Sequence, residues 1–299
     1  MAPAEDDISI EEKRVYAGTA GRTDAYVATE SGVVRVALSA DKVGAFDMVA
    51  RDAARDVAAL PRDDGPDLVA IATAEGARVA RVGTDPEFVR LTADPVAAVG
   101  AHDGAFLVAG EAGGIERVEV GDDDGNPTAA SVSRIGTVPD PRAVDGPLVA
   151  AGDGVYQVTG DEGDEAALIA VGLDDARDVA GSGMPLAATG SGLYWLGNGW
   201  MTAFEGVATA VAADGDGHAM AVVDGDLRVH APAGSEWGAE AWRVADLPVE
   251  EDAVALGYGP GISVAVTTAG TLCVDAGDGW RHQVVGVRDA AGVALAVVE

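Results

Sequence analysis

The chain has 299 residues, 48% of them hydrophobic, with 50 acidic groups against 19 basic and a formal charge of −31. So high and regular an apolar content excludes a disordered acidic chain, although the charge alone would suggest one. The absence of any basic stretch argues against binding nucleic acid through its phosphates.

The first thirteen residues, MAPAEDDISIEEK, are acidic and lack an apolar run, so they do not read as a secretory signal. No apolar run approaches the roughly 18 residues of a membrane span. We therefore expect a cytoplasmic protein with no membrane partner. The next stretch, ISIEEKRVYAG (8–18), reads as extended.

From residue 26 onward one phrase recurs seven times: an apolar run, a polar turn with glycine, and a second apolar run. The copies are YVATESGVVRVAL (26–38), LVAIATAEGARVARV (68–82), FLVAGEAGGIERVEV (106–120), LVAAGDGVYQV (148–158), LAATGSGLYWL (186–196), MAVVDGDLRVH (220–230) and VAVTTAGTLCV (264–274). Their turn glycines run from Gly32 to Gly270 at intervals of about 33 to 45 residues. A period near 40 built of strands signals a β-propeller.

Two more strand signals follow most copies. One carries aromatics: AFDMV (45–49), EFVRL (87–91), WMTAF (200–204), EAWRV (240–244) and WRHQVV (280–285). The other is built of small residues, as in RDVAAL (55–60), PVAAVG (95–100), RDVAG (177–181), ATAVAA (208–213) and GVALAVV (292–298). Four strands make one blade. Small residues suit the crowded centre, and aromatics suit the wide rim. The expected fold is all-β: a single seven-bladed β-propeller of four-stranded blades, occupying residues 1–299 as one domain. N- and C-terminal strands would share a blade and close the ring, removing its open edge. An eighth blade follows if the termini build one of their own. The acidic turns PRDDGPD (61–67), GDDDGNPT (121–128), GDEGDE (160–165) and DGDGH (214–218) read as solvated hairpin or blade linkers.

Lysine appears only at positions 13 and 42. An acidic, lysine-poor surface suits molar salt, where the Debye length falls to about 3 Å and neighbouring carboxylates barely repel. With repeat and acidity together, the chain resembles an uncharacterised family of haloarchaeal β-propeller proteins. The resemblance is carried by ISIEEKRVYAG, YVATESGVVRV and ARDVAAL and extends over the whole chain. It implies the fold and a halophilic lineage and no known activity. The turns GNGW (197–200), GSEW (234–237) and AGDGW (276–280) also look like worn Asp-box turns, without their leading Ser and their Thr.

Candidate functional groups are few. Arg55-Asp56, Arg177-Asp178 and Arg288-Asp289 stand just before small-residue strands, with Arg142 at the matching place. If the inner strands run alike, these side chains gather at one channel mouth. There Arg55, Arg142, Arg177 and Arg288 would grip an anionic ligand through planar guanidinium forks, with His102 as a candidate base. Alternatively each Arg pairs with an Asp of its own or the next blade and clamps the blades. His102 and His218 lie in loops, and nothing in their spacing requires a metal. The lone Cys273 in TLCVDA reads as a buried, inert thiol. No cofactor motif is present. The aromatics around Tyr194, Trp195, Trp200, Trp237 and Trp242 read first as filling between blades, second as a protein-binding surface. Together these features favour a monomeric, non-enzymatic protein-interaction scaffold. The alternative is an enzyme or small-molecule binder at the Arg-lined mouth.

Overall fold

The computed structural model describes residues 22–39, 42–123, 125–160, 166–231 and 236–298. The segment 8–18 and most of 160–165 lie outside the described residues.

In chain order the strands are β1 (Arg22–Thr29), β2 (Gly32–Ser39), β3 (Lys42–Ala50), β4 (Ala54–Leu60), β5 (Leu68–Thr73), β6 (Gly76–Arg81) and β7 (Val89–Arg90). Next come β8 (Val96–His102), β9 (Ala105–Gly110), β10 (Gly114–Asp123), β11 (Asn126–Thr137), β12 (Pro141–Asp145), β13 (Leu148–Ala151), β14 (Gly154–Thr159) and β15 (Ala167–Gly172). Then follow β16 (Ala176–Ala180), β17 (Leu186–Thr189), β18 (Gly192–Leu196), β19 (Trp200–Glu205), β20 (Ala208–Ala213), β21 (Ala219–Val223), β22 (Asp226–His230) and β23 (Trp242–Val244). The last are β24 (Ala253–Gly259), β25 (Ile262–Thr267), β26 (Thr271–Asp275), β27 (Arg281–Val284) and β28 (Ala290–Val298). A single 3-10 turn at Ala239–Ala241 is the sole helical element among the described residues.

These strands form seven antiparallel four-stranded sheets. Blade A is β28-β1-β2-β3, and blades B to G follow in chain order from β4 to β27. The fold is a seven-bladed β-propeller. In each blade the small-residue strand is innermost, because seven strands converge there and Ala, Gly and Val, which dominate these strands, leave most room. At Gly100 on β8 a Cβ would stand 2.4 Å from the Val144 carbonyl oxygen of the next blade. The chain's last strand supplies the inner strand of blade A, pairing with β1 from Arg22↔Val298 to Thr29↔Ala290. The two ends of the described chain therefore meet in one sheet and close the ring. The hairpin reading holds for 121–128, where β10 and β11 pair as far as Asp123↔Asn126.

The core is divided into seven wedges, one between each pair of blades. Leu68 and Val79 of blade B meet Phe106 and Val108 of blade C. Val36 and Leu38 of blade A meet Val264 and Leu272 of blade G. Both faces of the second strand of each blade are largely buried, which explains unbroken apolar runs such as LVAIAT, buried at all six positions. Each fully buried Leu or Phe contributes about 1.5–3 kcal/mol relative to exposure. Neighbouring inner strands touch all the way round, with β28 bridging β24 and β4.

Two local devices recur. The buried threonine three places before a turn glycine donates its hydroxyl to that glycine's carbonyl: Thr29 to Gly32 at 2.8 Å, Thr73 to Gly76 at 2.7 Å and Thr189 to Gly192 at 3.0 Å. The second device is a bulge near the start of every inner strand. Pairing with the next strand skips one residue: Arg55, Ala97, Arg142, Arg177, Thr209, Val254 and Ala291 in turn. A bulge re-aims the side chain it carries.

Candidate functional site

Three of the four candidate arginines occupy this bulge. Arg55, Arg142 and Arg177 are the skipped residues of β4, β12 and β16, so they share one mouth of the channel. Arg288 does not match them. The bulge residue of β28 is Ala291, and Asp289 takes the place of Asp140 and Asp175, just before the strand. All three of those aspartates have a positive φ, between 47° and 53°.

Each bulge arginine is held by protein groups. Arg55 donates to the Val96 carbonyl of the next blade at 3.1 Å and pairs with Glu111. Arg142 donates to the Ala176 carbonyl of the next blade at 3.2 Å and binds Asp175 at 2.6 Å and Asp140 at 2.9 Å. Arg177 reaches Asp175 at 3.4 Å. Arg142 holds the Asp175 carboxyl below the usual carboxylate range, and Asp175 in turn raises Arg142. Arg288 is exposed and has no partner among the described residues.

The neighbouring aspartates do something the sequence did not reveal. Asp56 and Asp178 turn from their arginines towards the axis. Oδ1 of Asp56 accepts the Val57 N–H at 2.8 Å and Oδ2 accepts the Val99 N–H of the next blade at 3.0 Å. Asp178 repeats this with Val179 at 2.9 Å and Val211 at 2.8 Å. Asp145 accepts the Gly181 N–H at 2.7 Å. An inner strand is an edge, and the N–H groups along its free side need acceptors. These carboxylates supply them and tie blade to blade. Burial pushes Asp56 and Asp178 up to about 7, against the pull of the N–H groups. All three stand on inner strands and reach the next blade, and charge on Asp178 and Asp145 adds to the rise at Asp56. The only signal available was the Asp two places into β4 and β16, which reads equally well as a partner for Arg.

His102 ends β8 at the opposite mouth. Six residues of strand, about 20 Å, separate it from the bulge end. Its ring lies 3.3 Å from Asp103, beside a hollow of about 20 Å³, room for little more than one water. Arg117 donates to the carbonyls of His102 and Asp103 there. The arrangement does not bring His102 to the arginines. His218 lies at the same end as His102, with its ring on Asp214 at 2.6 Å. No group of three His, Cys, Asp or Glu side chains is placed to hold a metal among the described residues. Cys273 is buried, and burial raises its thiol to about 11. In the worn Asp-box turn AGDGW, the pinning group is Asp275, which accepts the N–H groups of Gly277 and Gly279 at 2.7 and 3.1 Å.

A second assembly joins blades E and F. The His230 ring stacks on Trp237 at 4.0 Å and lies 5.3 Å from Trp242. Its Nδ1 and Nε2 face the carbonyls of Gly217 and Glu236 at 2.7 and 2.9 Å. Trp242 meets Phe204 of blade E edge-on at 6.2 Å, and the Arg228 guanidinium lies 4.4 Å from the Phe204 ring centre.

No curated protein matches the sequence. Solved structures share the fold at low identity. A Lactobacillus plantarum protein has a TM-score of 0.60 at 15% identity, covering 93% of this chain and 100% of its own. YCF48 bound to D1 peptide gives 0.56 at 16%, covering 93% and 97%. Virginiamycin B lyase from Staphylococcus aureus gives 0.55 at 11%, covering 81% and 94%. One neighbour binds a peptide and another is a lyase, so the likeness speaks for the fold alone. The pattern described as Beta-prop_HVO_0234-like, beta propeller, matches residues 9–296, and with that span the chain belongs to this β-propeller family.

Proposed function

We propose that this protein is a non-enzymatic protein-interaction scaffold of a salt-adapted cytoplasm, acting as a monomeric ring that does not bind nucleic acid. The observation that carries this reading is the engagement of Arg55 and Arg142 with carbonyls and carboxylates of the next blade. Guanidinium groups spent on joining blades serve the frame, and a rigid frame displays its outer surfaces to partners. YCF48, a propeller of the same shape, is seen bound to a peptide.

The second reading, an anionic ligand at the mouth, is favoured by Arg288, which is exposed and unpaired among the described residues, and by the single long contact of Arg177. Purification of the tagged chain from its cells in molar salt, followed by titration with inorganic phosphate, separates the two. A stoichiometric protein partner with no phosphate binding is expected. Isolation of the bare chain, with phosphate binding that Arg177→Ala and Arg288→Ala abolish, would overturn the scaffold reading.

A further inference from the structure

The outer seam between blades E and F gathers several large apolar groups, among them Trp195, Met201, Phe204, Trp242 and Val244. Trp195 of β18 pairs with Met201 of β19 on the side facing blade F. Arg228 and His230 of β22 pair with Val244 and Trp242 of β23 on the side facing blade E. The seam floor is therefore Phe204, Trp242 and the Arg228 guanidinium. Its lips are Met201 and Val244, both 48% exposed, with Trp195 half-buried between. The floor is ordered by stacking before any partner arrives, which lowers the entropy cost of binding.

Arg243, exposed on β23, pairs with Val229 on the side facing blade G, so the uncommitted charge on the seam side is acidic. Glu205, Glu236 and Glu240 are exposed beside the seam. The cation of Arg228 is already committed to Asp226 at 3.2 Å and to the Phe204 ring. Strand β19 is the outermost strand of its sheet, so its outer N–H and C=O groups are open to a fifth strand.

We propose that this seam receives an extended segment of a partner protein in which apolar side chains alternate with Lys or Arg. The segment would add to the free edge of β19. Its apolar side chains would enter between Met201 and Val244, and its cations would face Glu205, Glu236 and Glu240. This proposal rests on the scaffold reading and gives the scaffold's partner a chemistry.

The test uses the full chain in 2 M potassium chloride, which suppresses long-range attraction of any cation to this acidic protein. The probe is a ten-residue peptide of alternating leucine and lysine, with the leucine–glutamate peptide as comparison. Hydrogen–deuterium exchange with the probe should protect 200–205 and 242–244. Met201→Asn with Val244→Asn should weaken binding about tenfold, and Phe46→Asn, an exposed aromatic on blade A, should leave it unchanged. Both altered lips are exposed, so the fold survives, and circular dichroism checks it. Protection elsewhere on the ring, or equal binding of the acidic peptide, would overturn the seam and leave the scaffold reading standing. No protection anywhere would overturn the seam too, and a chain that also purifies without a partner would remove the scaffold reading with it.

Discussion

The carboxylate of Asp56 crosses between two blades to accept the Val99 N–H at 3.0 Å, and Asp178 does the same for Val211 at 2.8 Å. The spacing is equivalent in both cases: the acceptor stands two residues after the strand's first position and the donor three. Each carboxylate satisfies the free edge of the next inner strand without a side chain large enough to block the channel.

These ties make stability depend on pH. In the unfolded chain both groups titrate near 3.8, and in the fold near 7. The folded state thus holds more protons between those values, so this contribution to stability is full below about pH 4 and is lost as pH rises through about 7. Chemical denaturation in molar salt at pH 5 and at pH 8 should show the wild type weaker at pH 8. Asp56→Asn with Asp178→Asn should be less stable at pH 5 and flatter between the two. An equally steep profile in the double variant would count against the assignment.

Arg142 and Arg288 should differ sharply. Arg142→Ala removes two ion pairs and a bond to the Ala176 carbonyl, and should cost about 1 kcal/mol, less as salt screens the pairs. Arg288→Ala should change nothing. Melting curves of both at one salt concentration check the contrast.

The turn glycines differ in place as well as surroundings: Gly76 opens β6 opposite Thr73, whereas Gly225 stands one residue before β22, where Asp226 faces Val223. Gly76 has φ +122°, and a Cβ there would lie 2.0 Å from the Thr92 carbonyl oxygen. Gly225 has φ +88° but open space around its Cα. We expect Gly76→Ala to cost several times the roughly 1 kcal/mol of Gly225→Ala, because backbone must move as well as strain. Denaturation midpoints of the two variants decide this.

His230 is 3% exposed, with both ring nitrogens on carbonyl oxygens and its face on Trp237. Replacing it with leucine keeps the bulk and removes the ring N–H from between those carbonyls, at a cost of about 2 kcal/mol. Tryptophan fluorescence should show the Trp237 environment loosening before the ring as a whole melts.

Salt should govern the whole fold. With a charge of −31, dilution from molar salt to ~10 mM lengthens the Debye length to about 30 Å, and carboxylates around the rim then repel. Circular dichroism should lose its β signal on that dialysis and regain it when salt returns.

Blade number and strand order within a blade were legible in the sequence, and so was closure of the ring by the C-terminal strand, whose described partner is β1 of the first repeat copy while 8–18 lies outside the described residues. They follow from the repeat period, residue size and apolar alternation, which are properties of the residues themselves. So was the shared mouth of Arg55, Arg142 and Arg177, because inner strands run alike. Tertiary structure decided the rest. A bulge of one residue sets Arg55 and Asp56 on different errands, one to the Val96 carbonyl at the mouth of the next blade and the other to the Val99 N–H on its inner edge, although they are neighbours in the chain. Strand length separates His102 from the arginines, and a shift of three residues separates Arg288-Asp289 from the pairs it matches in letters. Such choices depend on which N–H or carbonyl the adjoining blade leaves unpaired, and that is settled only when the blades stand side by side.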